Sequence, residues 1–261
     1  MSGLFGYSIK DDNDKYRFTV MHLQNGESRT GKFKETSSIE NSFVGSRDNL
    51  EYSQRSITSA LFNGQHSRDD NKLKIDWRIA PTFSSIADKD IRSTSYRTED
   101  NTFAIAPGET GFPNRIWREL NEFNLANRLD FTRSHEVRGR DAKMKYGASY
   151  TFKYRDYEIL RYQLRAKSLG NLNPLTGEAD ELLSEDFVWN VITDAGTYYS
   201  GNYEANNAYQ GIQSNLAGYI HEEFSLNPLT KMVVGLRMER YDQFYTGVDQ
   251  QEAAAPGTGI N

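Results

Sequence analysis

The side chains best able to do chemistry are scattered. The four histidines, His22, His66, His135 and His221, lie far apart, and none falls in an H-x-x-H or H-x-x-x-H pair. His66 and His135 fall in stretches that read as short turns, where solvation is expected. No cysteine is present, so neither a thiolate metal site nor a disulfide framework can form. Residues 11–14, Asp-Asp-Asn-Asp, begin like a calcium loop, but Lys15 and Tyr16 follow where a ligand is needed, and no glycine turns the chain; a turn is expected. No nucleophile elbow, phosphate loop or dinucleotide fingerprint occurs. The expectation is therefore no catalytic residue, no metal site and no cofactor. Glu222, Glu223 and Glu239 could pass for paired carboxylates. With Arg237 close by, charge pairing on a wet face is the better account, worth about 0–1 kcal/mol per exposed pair.

What remains is charge at unusual places. Arg128 and Asp130, Lys143 and Lys145, Arg237 and Glu239 all fall at mid-strand positions. In 231–245, Met232, Val234, Leu236 and Met238 share one parity, and Val233, Gly235, Arg237, Glu239 and Tyr241 share the other. A period of two over that length means strand. The pattern recurs. Leu73, Ile75, Trp77, Ile79, Pro81 and Phe83 alternate with Lys72, Lys74, Asp76, Arg78, Ala80 and Thr82. Phe123, Leu125, Leu129 and Phe131 alternate with Glu122, Asn124, Arg128 and Asp130. Met144, Tyr146, Ala148, Tyr150, Phe152 and Tyr154 alternate with Lys143, Lys145, Gly147, Ser149, Thr151 and Lys153. Phe5, Tyr7 and Ile9, then Tyr16, Phe18 and Val20, do the same. In 49–64 the facing stays open, because Tyr52, Ala60 and Phe62 share one parity while Ile57, Leu61 and Arg55 share the other; a bulge would shift it.

About eight long strands result, in an all-β antiparallel up-and-down meander. Short connections (11–14, 65–71, 133–141, 225–230) alternate with long ones (25–48, 84–116, 163–208). A short helix is conceivable within 179–190, and 163–208 is rich in aromatics, including Phe187, Trp189, Tyr198, Tyr199 and Tyr203. Transmembrane barrels have short turns at one end, long loops at the other, an apolar exterior and a polar lumen. A soluble sandwich also alternates, but its strands are usually ~5–6 residues, and three loops this long are uncommon in a compact domain. The chain carries 31 basic and 36 acidic residues, net −5, with no basic stripe, which argues against a nucleic-acid partner. Aromatics make up 13% of the residues, with 16 Tyr against 14 Phe, which suits interface girdles. Trp77, Tyr146, Tyr150 and Phe152 are expected to meet outer-membrane lipid, and Trp77 is the position where a lysine should disfavour insertion. No run of 18 apolar residues exists, so no transmembrane helix is expected.

Segments HLQNGES, NLEYSQRS, LKIDWRIAPTFSS with DKDIR, RIWRELNEFNLANRLDFT, GRDAKMKYGASYTFKYRDYEIL and NLAGYIHEEF with VVGLRMERYDQFYTG occur in order over nearly the whole chain. Together they resemble the barrel region of TonB-dependent outer-membrane receptors of the Bacteroidetes type. Tyr219 opens a run like that family's Y-x-x-[DE], and Gly235-Leu236-Arg237-Met238-Glu239 is similar to its G-x-R-x-[DE]. The resemblance implies a large transmembrane β-barrel in the cell outer membrane of a Gram-negative bacterium. It also implies TonB-energised uptake of a large nutrient: a siderophore, oligosaccharide or peptide. Its partners would be the receptor's own plug domain, the TonB complex, the nutrient and a surface lipoprotein. On this basis residues 1–261 are expected to form one partial barrel domain, an internal fragment without signal, coupling box, plug or C-terminal strands. Arg128, Asp130, Lys143, Lys145, Arg237 and Glu239 are expected to face the lumen and plug. Trp189, Tyr198, Tyr199 and Tyr203 are expected on a loop that meets ligand. A passive porin or structural barrel without energy coupling is the alternative, and a soluble ligand-binding β domain is a third reading.

Overall fold

Alternation of apolar and polar residues makes a strand only if a neighbour takes up its backbone hydrogen bonds. The computed structural model, which describes residues 1–37, 43–99, 102–105, 111–167, 184–201, 207–227 and 229–248, shows where they go. Ten strands form one sheet: β1 (Ser2–Lys10), β2 (Asp14–Ser37), β3 (Phe43–Arg68), β4 (Leu73–Glu99), β5 (Thr102–Ala104), β6 (Asn114–Val137), β7 (Arg140–Lys167), β8 (Gly196–Gly201), β9 (Ala208–Asn227) and β10 (Thr230–Gly247). The main path is β1-β2-β3-β4-β6-β7-β9-β10, antiparallel at every step. The short β5 and β8 are side pairings, on β4 and β7 respectively. The sheet is an all-β up-and-down meander whose main path has the eight long strands that the alternation predicts, and no helix occurs among the described residues. Residues 184–190 hold turns and isolated bridges; the rest of the suggested helix lies outside the described residues.

Register turns eight separate alternations into two coherent faces. Directly opposed residues share a face, and one continuous row reads Tyr7, Phe18, Phe62, Ile79, Asn127, Tyr150, Leu216, Arg240. The row to one side reads Ile9, Tyr16, Gly64, Trp77, Leu129, Ala148, Gly218, Met238. Between them, on the other face, runs Ser8, Arg17, Asn63, Arg78, Arg128, Ser149, Ala217, Glu239. The facing of 49–64 is settled: Tyr52, Ala60 and Phe62 belong to the apolar face, Arg55, Ile57 and Leu61 to the polar one.

The apolar belt does not follow the rows squarely. On β2 and β3 its lower edge is Tyr16 and Phe62, with polar Asp14 and His66 next. On β10 it continues down to Met232, whose row runs through Phe224, Ala142 and His135, and ends at Met238, with Arg240 and Asp242 above it. On β4, β6 and β7 it reaches up to Phe83, Phe123 and Tyr154, which share a row. A belt that slides along the strands from one side of a sheet to the other is what strands tilted to a flat slab require. From Leu73 to Phe83 the belt is about 34 Å along the strand, or about 26 Å at a tilt of about 40°, near the ~25 Å band of such barrels.

The expected long loops are in large part strand. β2 and β3 pair from Asn25↔Arg55 out to Ser37↔Phe43, so most of 25–48 is a hairpin arm. β4 runs on to Glu99, and β7 to Lys167. These arms leave little periodic signal because burial there is local, as at Ile105, Leu164 and Tyr96, and does not run along a whole strand face. At the opposite end the turns are tight. Arg138 (φ 55) and Gly139 (φ 73) form a two-residue loop with both φ positive, as type I′ hairpins require. One bulge interrupts the arms. At Lys89–Asp90 the register of β4 slips against β3 and β6 alike, and Asp90 adopts φ 59.

Candidate functional site

All six charged residues singled out above lie on the polar face, toward the tight-turn end. Arg128 shares a row with Glu239; Asp130 shares the next with Gly147, Tyr219 and Arg237. Lys145 and Lys143 follow one and two rows further down. The centre of the group is Asp130, whose side chain is only 12% exposed. Arg128 Nε donates to its Oδ2 at 2.6 Å, and the Tyr219 hydroxyl donates to Oδ1. Tyr219 sits two strands away, on β9. Its ring crosses β7 at Gly147, where a Cβ would lie 2.5 Å from the Leu129 carbonyl oxygen and 2.7 Å from the Asp130 carboxylate. Glycine there lets an aromatic ring tie β9 to β6 across an intervening strand.

Beside this joint is a hollow of about 270 Å³ lined by Asp76, Arg78, Arg128, Asp130 and Lys145. Arg237 and Glu239 bond to each other on β10. Lys143 lines a second hollow of about 370 Å³, with His135, Glu223 and Lys231. Glu222 and Glu223 are not a carboxylate pair. Strand parity sends them to opposite faces, where Glu222 meets His135 (3.0 Å) and Glu223 meets Lys231 (3.5 Å). Among the described residues no group of three or more His, Asp and Glu side chains could hold a metal ion. The arrangement supplies fixed charges and hydrogen-bonding groups on a wide polar wall, suited to gripping a polar surface.

The histidines correct the expectation of solvated turns. His66 lies within β3 on the apolar face, with its side chain 15% exposed. Trp77 Nε1 donates to His66 Nε2 at 2.9 Å, and His66 Nδ1 meets Asp14 Oδ1 at 2.7 Å. An indole N–H only donates, so Nε2 must be bare and the proton sits on Nδ1, facing Asp14. Arg68 completes the cluster, 2.9 Å from Asp14. The indole lies flat over Gly64, whose notional Cβ would be 2.3 Å from Nε1. Trp77 thus lies on the apolar face as expected, with Ile75 and Leu73 below it on β4 and polar His66 and Asp14 in the row below it on β3 and β2. Tyr146 stacks on Phe131 (centroids 5.0 Å apart, 12° between planes), and Tyr150 and Phe152 face outward with it.

At the far end, the aromatic loop residues part company. β8 pairs with β7, setting Tyr198 opposite Arg165 and Tyr199 opposite Leu164, so the two tyrosines point to opposite faces. Both are about two-fifths exposed. Tyr199 faces Arg115, whose guanidinium lies 5.8 Å from its ring centroid and 4.9 Å from that of Trp117. Trp189 is tied down: its Nε1 donates to Asp194 (3.2 Å) and its backbone N–H to Thr197 (2.8 Å). Tyr203 lies outside the described residues. A buried pair, Ile105 and Leu164, packs against Tyr96 and fixes this arm from the outer side.

The bulge supplies the arm's strongest electrostatic tie. Arg115 donates to Asp90 through Nε (2.7 Å) and Nη2 (2.6 Å), and Arg92 adds a bond at 2.6 Å. Arg115, helped by Arg92 and opposed by burial, holds the Asp90 carboxyl down from 3.8 to about 2. A depressed carboxylate stabilises the fold fully above its ordinary value, and the contribution is lost as pH falls toward the folded value. Here it is worth about 1–2 kcal/mol after discounting for the exposed Arg92. Pepsin cleavage within 84–116 should therefore rise steeply between pH 4 and 2. Asp90→Asn should be cleaved faster at pH 4, with a flatter pH profile.

No protein-family model matches the chain, and no curated protein matches it. Among solved structures it is similar to the crystal structure of the siderophore receptor PiuA from Acinetobacter baumannii. The TM-score is 0.22 and the identity 10%, covering 95% of this chain and 44% of that one. The chain thus spans less than half of that receptor's length, and so loose a superposition carries no argument about function.

Proposed function

We propose that the chain is a wall segment of a large outer-membrane β-barrel that takes up a bulky nutrient, a siderophore, oligosaccharide or peptide, with energy supplied through a TonB complex. The apolar face meets outer-membrane lipid. The polar face lines the lumen, where Arg128, Asp130, Lys143, Lys145, Arg237 and Glu239 grip the receptor's own plug domain. Tyr198 and Trp189 stand near the mouth, where a nutrient or a surface lipoprotein arrives. One observation carries this reading: eight strands in register put an apolar belt of bilayer height on one face and mid-strand charges on the other. None of the described residues covers that belt, which a soluble sheet would have to bury: Ile79, Leu216, Ile220 and Leu236 are 43%, 54%, 50% and 66% exposed.

None of these 261 residues is a cysteine, so once any cysteine elsewhere in the full-length protein is replaced by serine, a label reports only the position introduced. Single cysteines replacing Arg78, Arg128 or Lys145 in the full-length protein in membranes should react with a water-soluble maleimide. Those replacing Ile79, Leu129 or Tyr146 should not. Equal labelling of both parities would sink the barrel. Uptake that survives loss of the TonB complex would leave a passive pore instead.

A further inference from the structure

The polar face has one region that does not fit its pattern. Just beyond the Phe83–Phe123 row, toward the long arms, parity places Leu23, Ile57, Ile86 and Leu120 on the polar side. Leu23 is directly opposite Ile57, and Ile86 directly opposite Leu120. They form the floor of a mainly apolar hollow of about 770 Å³, the size of a small-ligand pocket. Leu23 and Ile86 remain 42% and 38% exposed, although they point away from the apolar belt. Scattered exposed apolar residues mean little, but a registered cluster on the wrong face of a wall is a binding signal.

The rim of the hollow is cationic. Glu122 is held by Arg155 (2.6 Å) and Lys153 (3.8 Å), so that group keeps an excess positive charge. Arg55, opposite Ile86, makes no ion pair among the described residues. Its guanidinium can hold one carboxylate through two parallel hydrogen bonds.

We propose that this hollow binds an amphipathic carboxylate, an alkyl or acyl chain ending in one carboxylate. The chain would lie on Leu23, Ile57, Ile86 and Leu120, and the head on Arg55. The proposal rests on the polar face being the lumen wall and names a substrate class for it. The probe is dodecanoate, titrated calorimetrically into the full-length protein in lipid nanodiscs, with dodecanol as the uncharged comparison.

Dodecanoate should bind saturably, and dodecanol about tenfold or more weaker. Arg55→Gln should remove that difference by weakening dodecanoate alone, and Ile86→Asp should weaken both. Three results would overturn the proposal: no saturable dodecanoate binding, equal binding by Arg55→Gln and the native protein, or a phospholipid in the hollow that dodecanoate does not displace. Maleimide labelling on the same nanodiscs separates the two failures. Labelling of both parities removes the barrel, whereas correct labelling without dodecanoate binding removes only this ligand.

Discussion

Ile79→Arg should disfavour membrane insertion by about 2–4 kcal/mol, whereas Ala80→Arg, one residue along, should cost a small fraction of that. Ile79 occupies the middle of the belt on β4, flanked in its row by Phe62 and Asn127, with polar ends a similar distance away in both directions. An arginine there must be desolvated in hydrocarbon or snorkel past several apolar neighbours. Ala80 points to the polar face, opposite Ala126, where an arginine joins Arg78 and Arg128 on a wet wall. Refolding into lipid vesicles, followed by the gel-mobility shift of folded barrels, measures both. Equal tolerance of the two would show that this face does not meet lipid. Trp77 is a weaker place to ask the same question. Its loss also removes the ring that covers Gly64 and the bond to His66.

The second large effect is expected at Gly147. Gly147→Val must move the Leu129 carbonyl, which is backbone and cannot swing aside, as well as the Asp130 carboxylate and the Tyr219 ring, 3.0 Å from the notional Cβ. Overpacking of this kind costs about 1–3 kcal/mol. Expelling Tyr219 also removes its hydrogen bond to a carboxylate, worth about 1.5–3 kcal/mol. Gly211→Val is the control, since nothing lies within 4 Å of its notional Cβ. Tyr219→Phe separates the two contributions, keeping the ring and losing only the bond. Denaturant midpoints of the refolded protein should fall in the order Gly211→Val, Tyr219→Phe, Gly147→Val. A Gly147→Val protein as stable as the control would mean that the Tyr219–Asp130 joint is not formed.

These two positions also show what the sequence can and cannot disclose. That Ile79 faces one way and Ala80 the other follows from parity alone, because strand side chains alternate whatever the partner. That Ile79 lies mid-belt does not follow. It depends on which residue of β3 and of β6 stands opposite, and the turns set that register. The Tyr219–Asp130 bond spans 89 residues and a third strand, beyond the reach of any local pattern. Its one local trace is Gly147, a glycine amid Lys145, Tyr146, Ser149 and Tyr150, since a glycine inside a strand often marks a close approach. His66 escapes a local reading for a related reason. A polar run, 65–71, reads as a turn, yet Gln65–Arg68 is strand, and its outward members cluster with Asp14 and Trp77. The strand arms read as loops because hydrophobic periodicity reports burial of a whole face, and beyond the belt burial is confined to patches such as Ile105, Leu164 and Tyr96.

Those arms have a consequence for traffic. β4 continues from Phe83 to Glu99, about 50 Å along the strand, which on the proposed reading reaches about 40 Å above the membrane at barrel tilt. Its neighbours β2, β3, β6 and β7 rise with it. On the proposed reading the protein stands out from the cell as a parapet, and a solute must descend through it before it reaches the level of the lipid. Ladder hydrogen bonds hold the parapet up, with the Ile105–Leu164–Tyr96 packing and the Asp90–Arg115 pair as its side-chain ties.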